Sequence, residues 1–253
     1  MHPTRFAAGP PRRGSQPNAT TRCQNWDIIR RYCCAHRTTP IGAHRVPPPA
    51  STPPSVVVFD LGGVLVDWNP RYLFRKLFDD AARMDWFLAN ICNSAFYLRL
   101  DIDGDSRAAI ADMLTRHPEH AAEIAAYVER FDETIRGEIA PMVGLLERLH
   151  AGGMRLYALT NWAADTFART RPRLPCLSLF RDIVVSGEER LVKPDPRLFQ
   201  VLFARCGFTP ADAVFIDDNR INAEAAEGLG MRAIHHRDPA ATITALRTMG
   251  LAV

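Results

Sequence analysis

Six polar residues of this 253-residue chain each close, or soon follow, an apolar run, and their types suit a site that handles charge. Asp60 ends the run from Val56, Thr160 and Asn161 the run from Met154, and Asp217 and Asp218 the run from Ala213, while Lys193 follows the run over residues 183–186. If those runs are neighbouring strands, three carboxylates, a hydroxyl and an ammonium converge on one edge. Carboxylates so close repel and raise one another's pKa unless a cation neutralises them. A divalent ion held by few carboxylates, with water and substrate oxygens as its other ligands, is how Mg²⁺ sits at phosphate sites. Phosphoryl transfer then asks for an in-line nucleophile and donors to the equatorial oxygens. Asp60 is the candidate nucleophile, because carboxylates form acyl-phosphate intermediates. Thr160 and Asn161 are candidate donors to the phosphoryl oxygens, and Lys193 the candidate counter-charge. Only two of the 31 cationic residues are Lys, Lys76 and Lys193, so a compact ammonium at position 193 stands out in a chain that otherwise uses Arg. Singly, each residue has an ordinary role, such as a strand-end acid or a turn. Their conjunction at successive strand ends is what points to a site.

The elements that must hold them are legible. Val56-Val57-Val58-Phe59 is apolar and β-branched without polar alternation, the pattern of a strand buried on both faces of a parallel sheet. Similar runs over 154–160, 183–186, 213–217 and 231–235 alternate with helical stretches over 143–150, 163–170, 196–206, 219–229 and 239–249. Asp195 before Pro196, and Thr209 before Pro210, mark helix starts. The alternation predicts an α/β fold, a doubly wound parallel sheet. Residues 70–139 break it: no strand is expected there, only helices over 71–78, 84–98, 106–116 and 118–136. Ligands of open α/β sheets bind beyond the carboxyl ends of the strands, so a helical insert rooted after the first strand would overhang the site as a cap. Trp68 and Trp162 stand close enough to the polar cluster to line a substrate pocket. The expected organisation is a core over 56–69 and 140–253, with the cap over 70–139.

Composition excludes several classes. Residues 1–55 hold eight Arg, no Lys and one acid, Asp27, a net of +7, against +3 for the whole chain; the remainder therefore carries −4. A basic nucleic-acid-binding body is disfavoured. The same 55 residues contain ten of the 19 prolines and little apolar surface, which predicts a disordered extension or a translation start set too far upstream. Six cysteines without a C-x-x-C pair argue against a zinc site or disulfide framework and fit a reducing compartment. No apolar stretch approaches the roughly 18 residues of a membrane helix, so a soluble, cytoplasmic protein without membrane or nucleic-acid partners is expected. A protein partner is not indicated either way.

The stretches VVVFDLGGVLVDWN, LYALTNWA, VVSGEERLVKPDPRLF and AVFIDDNRINAEAAEGLG resemble, in order and spacing, the four motifs of the haloacid dehalogenase superfamily, across essentially all of residues 56–253. The resemblance implies a Rossmann-like core with an inserted α-helical cap and a covalent intermediate on Asp60. It makes Thr160 the second-motif hydroxyl, Lys193 the third-motif lysine, and Asp217 with Asp218 the acids that hold Mg²⁺. Asp60 and the main-chain carbonyl of Gly62 complete the implied metal set. The implied function is a Mg²⁺-dependent phosphatase acting on a small phosphorylated metabolite, similar to the sugar-phosphate phosphatases with helical caps.

Gly62 also departs from the pattern, because most phosphatases of the superfamily carry there a second Asp that protonates the leaving oxygen and then activates water. Losing such a group slows a reaction by about 10²–10⁴-fold. Three explanations are open: a good leaving group, a proton carried by a cap residue or water, or a catalytically weak member that binds a phosphorylated ligand or a protein. The founding 2-haloacid dehalogenases lack that Asp too, and work without metal. Adjacent Asp217 and Asp218 in a metal-free site would repel Asp60 and an anionic substrate, which ranks the dehalogenase behind the phosphatase. Residues 101–105, Asp-Ile-Asp-Gly-Asp, resemble the opening of a calcium loop, but Ser106 occupies the position that needs Gly, so a polar turn between two cap helices is expected.

Overall fold

Residues 52–103 and 106–253 are described by the computed structural model. The Pro/Arg-rich stretch lies outside them apart from residues 52–55, of which Ser55 donates its amide to the Asp212 carbonyl at 2.9 Å. Directly after it, β1 (Val56–Phe59) is buried at every residue. The other strands of its sheet are β4 (Arg155–Thr160), β5 (Asp182–Val185), β6 (Ala213–Asp217) and β7 (Arg232–His235). They pair in parallel in the order β5-β4-β1-β6-β7, which puts β1 at the centre. Val57 and Phe59 face one apolar cluster and Val56 and Val58 another, as alternation along a two-sided strand requires. Five parallel strands thus end together, and β1, β4 and β6 carry Asp60, Thr160 and Asp217 to that edge.

Between β2 (Val66–Trp68) and β3 (Ile135–Glu138) the chain makes α1 (Arg71–Phe74), α2 (Ala81–Asn90), α3 (Ser94–Asp103), α4 (Ser106–Arg116) and α5 (Ala121–Glu129). β2 and β3 pair antiparallel, with a register shift between Asp67 and Trp68. The strand at 135–138 corrects the expectation of an all-helical insert. Its sequence, Ile-Arg-Gly-Glu, is poor in strand formers, and it exists because β2 supplies a partner. The helix expected over 84–98 is in fact two. Asn93 breaks it, its Oδ1 accepting from the amides of Ala95 and Phe96 to start α3. The helix expected over 118–136 resolves into α5 flanked by single 3₁₀ turns and then β3. Asp101 and Asp103 lie in the last turn of α3, not in the expected polar turn.

After β3 come α6 (Ala140–Ala151), α7 (Ala164–Thr170), α8 (Ser186–Glu189), α9 (Pro196–Cys206), α10 (Arg220–Gly228) and α11 (Pro239–Thr248). Leu145, Leu149 and Leu246 cover one face of the sheet, and Leu198, Phe199, Leu202 and Ala226 the other. Asp195 caps α9 through the Arg197 amide, with Pro196 at its first position. No helix among the described residues is long and apolar enough to cross a membrane.

Candidate active site

β1 delivers Asp60 with its backbone fixed, since the Asp60 amide donates to the Ile216 carbonyl of β6 at 2.8 Å. The Asp60 Oδ1 accepts from the Leu61 amide at 2.7 Å and lies 2.8 Å from the Lys193 Nζ. Asp60 Oδ2 accepts no hydrogen bond among the described residues, so one oxygen is held while the other is left for a ligand. Lys193 is only 2% exposed, and its ammonium also reaches the Asp217 Oδ2 at 2.7 Å. It therefore bridges the acids that end adjacent strands.

Asp217 is fully buried and heavily ligated. Its Oδ1 accepts from the Asn219 amide at 2.7 Å and the Asn222 Nδ2 at 3.2 Å, and Asn222 also reaches Oδ2 at 3.1 Å. Asn222 is a site residue that sequence reasoning missed. The signal was its place three residues after Asn219, the N-cap of α10, which sets both on the helix face turned back toward β6. Asp218 is exposed, and a Cβ on Gly63 would stand 2.5 Å from its Oδ2. With φ at +74°, position 63 needs glycine for its backbone and for this close approach.

The ligand atoms of Asp60, Asp217 and Asp218 lie within 4.8 Å of one another. Three carboxylates face one ammonium, and this surplus of hard oxygen donors fits Mg²⁺. Burial, with the charges of Asp217 and Asp218, pushes the Asp60 carboxyl up to about 7 against the pull of Lys193. Partial desolvation by the surrounding site, with the charge of Asp217, raises Asp218 as well although its residue is exposed overall. Lys193 itself is raised, its two carboxylates outweighing the burial that opposes its charge. A second cation would pull the raised Asp60 and Asp218 carboxyls back down.

Thr160, 2% exposed, ends β4 beside this group. Asn161, the other expected donor to a phosphoryl group, bonds the Lys193 backbone through its side chain. Its Oδ1 accepts from the Lys193 amide at 2.8 Å and its Nδ2 donates to the Lys193 carbonyl at 3.1 Å. The side chain of Asn161 thus ties down the Lys193 backbone and keeps one N–H of its amide outside that pair. Trp162 is buried, with its amide on the Ser186 Oγ at 2.9 Å and its indole Nε1 buried without a partner among the described residues. Trp68, half-buried at the end of β2, meets Tyr97 edge-on at 5.5 Å, and Trp162 meets Phe131 at 5.8 Å. The two tryptophans thus join the aromatic cluster of the insert, Trp68 through Tyr97 of α3 and Trp162 through Phe131.

The insert holds an acid whose titration is perturbed as well, Asp101 of α3. Burial pushes the Asp101 carboxyl up to about 7, opposed by the Lys193 ammonium and the Ala163 amide and reinforced by Asp60. Nothing in its local pattern marked Asp101, because what matters is the packing of α3 onto α8.

The family model for haloacid dehalogenase-like hydrolases matches residues 54–230, and the chain belongs to that family of hydrolases. Its relatives include a sesquiterpene phosphatase of Aspergillus oryzae, 29% identical over 76% of this chain and 94% of that protein. Another is phosphoglycolate phosphatase 1 of Pseudomonas aeruginosa, 27% identical over 71% of this chain and 68% of its own. Among solved structures, a HAD-like hydrolase of Porphyromonas gingivalis superposes with a TM-score of 0.58 at 21% identity, covering 76% of this chain and 96% of its own. A HAD family enzyme of Bacteroides thetaiotaomicron, solved with magnesium and inorganic phosphate, gives 0.57 at 18% identity over 72% and 93%. The L-2-haloacid dehalogenase of Xanthobacter autotrophicus gives 0.52 at 18% identity over 71% and 76%. Such likenesses establish the fold, and the two relatives by sequence described above are named as phosphatases.

Proposed function

We propose that the protein is a Mg²⁺-dependent phosphatase that hydrolyses the monophosphate ester of a small metabolite, with α1–α5 as a cap over the sheet edge. The observation that carries this reading is the Lys193 bridge between Asp60 and Asp217 with Asp218 alongside, a cluster left short of positive charge. Asp60, Asp217, Asp218 and the Gly62 carbonyl would hold Mg²⁺, which supplies charge for the phosphoryl oxygens. Asp60 Oδ2 attacks phosphorus as the bond to the leaving oxygen breaks, and water then releases phosphate from the aspartyl ester. Lys193 keeps Oδ1 turned away from the attack, Thr160 donates to a phosphoryl oxygen, and Asn161 holds the Lys193 segment in register. Trp68 and Trp162 line the side from which the substrate enters.

Relatives named for a sesquiterpene and for phosphoglycolate share the phosphate ester and differ in the alcohol, which supports the ester and leaves the alcohol to the cap. The dehalogenase reading is weaker, since Asp217 and Asp218 beside Asp60 disfavour an anionic substrate without metal. The test is phosphate release from p-nitrophenyl phosphate by the full chain, with Mg²⁺ or a chelator and with Asp60→Asn alongside. Turnover that requires both the metal and Asp60 is expected, with a loss on the order of 10⁴-fold or more in the variant. A folded wild type that binds phosphate with thermal stabilisation but never turns over would make it a binding protein. Halide release from a 2-haloacid in chelator would make it a dehalogenase.

A further inference from the structure

We propose that a run of rings seats the alcohol half of the substrate, with Trp162 Nε1 and Tyr97 Oη donating hydrogen bonds to it. The ester cleaved then belongs to a mainly apolar alcohol bearing an acceptor oxygen and not to a polyhydroxylated sugar; this rests on the phosphatase reading. Five rings follow one another in contact. Trp68 meets Tyr97 with centroids 5.5 Å apart, Tyr97 meets Tyr127 at 5.0 Å, Tyr127 meets Phe131 at 5.6 Å and Phe131 meets Trp162 at 5.8 Å. Both ends of the run rise from segments that carry the site. Trp68 closes β2, which is pinned to the turn after Asp60: the Val66 amide donates to the Leu61 carbonyl at 2.8 Å, and the Gly63 amide to the Val66 carbonyl at 2.9 Å. Trp162 stands two residues beyond Thr160, with its amide on the Ser186 Oγ and its carbonyl accepting from the Gly187 amide at 3.1 Å. Gly187 permits that approach, since a Cβ there would lie 2.4 Å from the Ala164 nitrogen. The rings thus link the Asp60 loop to the Thr160 loop, with Tyr97 of α3 and Tyr127 of α5 between them.

Trp162 Nε1 and Tyr97 Oη are the two buried side-chain polar atoms without a hydrogen-bond partner among the described residues, and both belong to this run. The whole Trp162 side chain is close to hidden, the residue being 6% exposed. Burial takes such groups from bulk water, so a ligand that brings an acceptor between the rings recovers what burial cost. Phe, which the chain uses 13 times, would fill either place without stranding a donor. The use of Trp and Tyr here keeps two polar atoms unspent beside the loops that hold the reacting groups. An indole N–H donates and never accepts, which asks for an oxygen with a free lone pair on the ligand. A sugar brings several hydroxyls, each of which needs a partner once it leaves water, and two unspent groups among ring faces do not supply them. An apolar body with one or two acceptor oxygens loses nothing there, and ring faces accept bodies of different outline.

The experiment measures kcat/KM of the full chain with Mg²⁺ on three esters of primary alcohols: 4-acetylbenzyl phosphate, benzyl phosphate and glucose 6-phosphate. The acetyl ester, whose carbonyl accepts, should exceed the benzyl ester by about 10-fold, and glucose 6-phosphate should fall about 10²-fold or more below the acetyl ester. In Trp162→Phe and in Tyr97→Phe, which keep a ring and remove the donor, the ratio of acetyl to benzyl ester should drop toward one, the change lying in KM. Either folded variant suffices. Tyr97→Phe removes a single oxygen, and its melting temperature without ester should equal or exceed that of the wild type, because an unpaired buried hydroxyl stabilises nothing. A fall of several degrees would show that the hydroxyl already has its partner and would overturn the proposal. So would a wild type that prefers glucose 6-phosphate, or variants that keep the full ratio; each of these leaves the phosphatase reading standing. A wild type with no metal-dependent turnover of these esters or of p-nitrophenyl phosphate would remove both together.

Discussion

The sheet edge and the inserted helices bury polar groups in opposite ways. At the edge the buried charges are gathered round one ammonium and fixed by hydrogen bonds. Lys193 lies between two carboxylates, and both oxygens of Asp217 accept hydrogen bonds. The insert is instead an aromatic cluster of Phe74, Phe87, Phe96, Tyr97 and Tyr127, with centroids 5.0–6.3 Å apart in successive contacts, and the Tyr97 hydroxyl is buried in it without a partner. Fixed, compensated charge suits a step that every substrate shares. A wall of rings suits closing over alcohols of different shape, with little directional bonding to reject any of them.

Removing the ammonium strikes at this difference hardest. In Lys193→Met the buried Asp217 and Asp60 lose their counter-charge, and a loss of about 3–5 kcal/mol in unfolding free energy is expected in chelator. Mg²⁺ should recover a good part of it, because the ion supplies charge where the lysine did. Denaturant melts with and without the metal measure both quantities. Equal stabilities of the variant in Mg²⁺ and in chelator would mean that the acids do not bind the ion. A smaller loss, about 3 kcal/mol, is expected for Phe87→Ala, which removes a fully buried ring from the insert. Here the metal should recover no more than it adds to the wild type. Rescue of Phe87→Ala on the scale of Lys193→Met would erase the distinction between the two regions.

The same distinction decides what could be seen in the sequence. Strands buried on both faces must be apolar throughout, so β1, β4 and β6 mark themselves, and the residues at their ends are placed by counting. Asp60, Thr160 and Asp217 needed no knowledge of packing. Asn161 was visible, but its engagement with Lys193 was not, since that depends on how the loop before α9 folds back over 32 residues. In the insert, helical periodicity was clear and its punctuation was not. Asn93 sits inside an amphipathic pattern that reads as one helix, and β3 draws its identity from β2 across the whole insert. Asp101 was hardest of all, because its neighbours in the chain make it resemble a loop ligand while the structure sets it in the last turn of α3, the helix that packs on α8.

The raised Asp101 carboxyl has a consequence for stability that appears only as pH is changed. An ordinary aspartate has a pKa of about 3.9 in the unfolded chain. In the folded protein Asp101 is held near 7, with Lys193, Asp60 and Tyr127 the ionisable groups around it. Between those values the folded state keeps a proton that the unfolded state has lost, so stability falls as pH rises through the window and levels off above it. Asp101→Asn cannot titrate and escapes that fall. Melting temperatures measured in chelator should therefore be close for the two proteins near pH 4, with the variant rising above the wild type by several degrees at pH 8. Asp60 contributes a similar fall to both proteins, and it largely cancels from the difference. A difference that stays flat from pH 4 to pH 8 would place Asp101 in solvent, away from the sheet edge, and the cap would then contribute shape to the reaction and no charge.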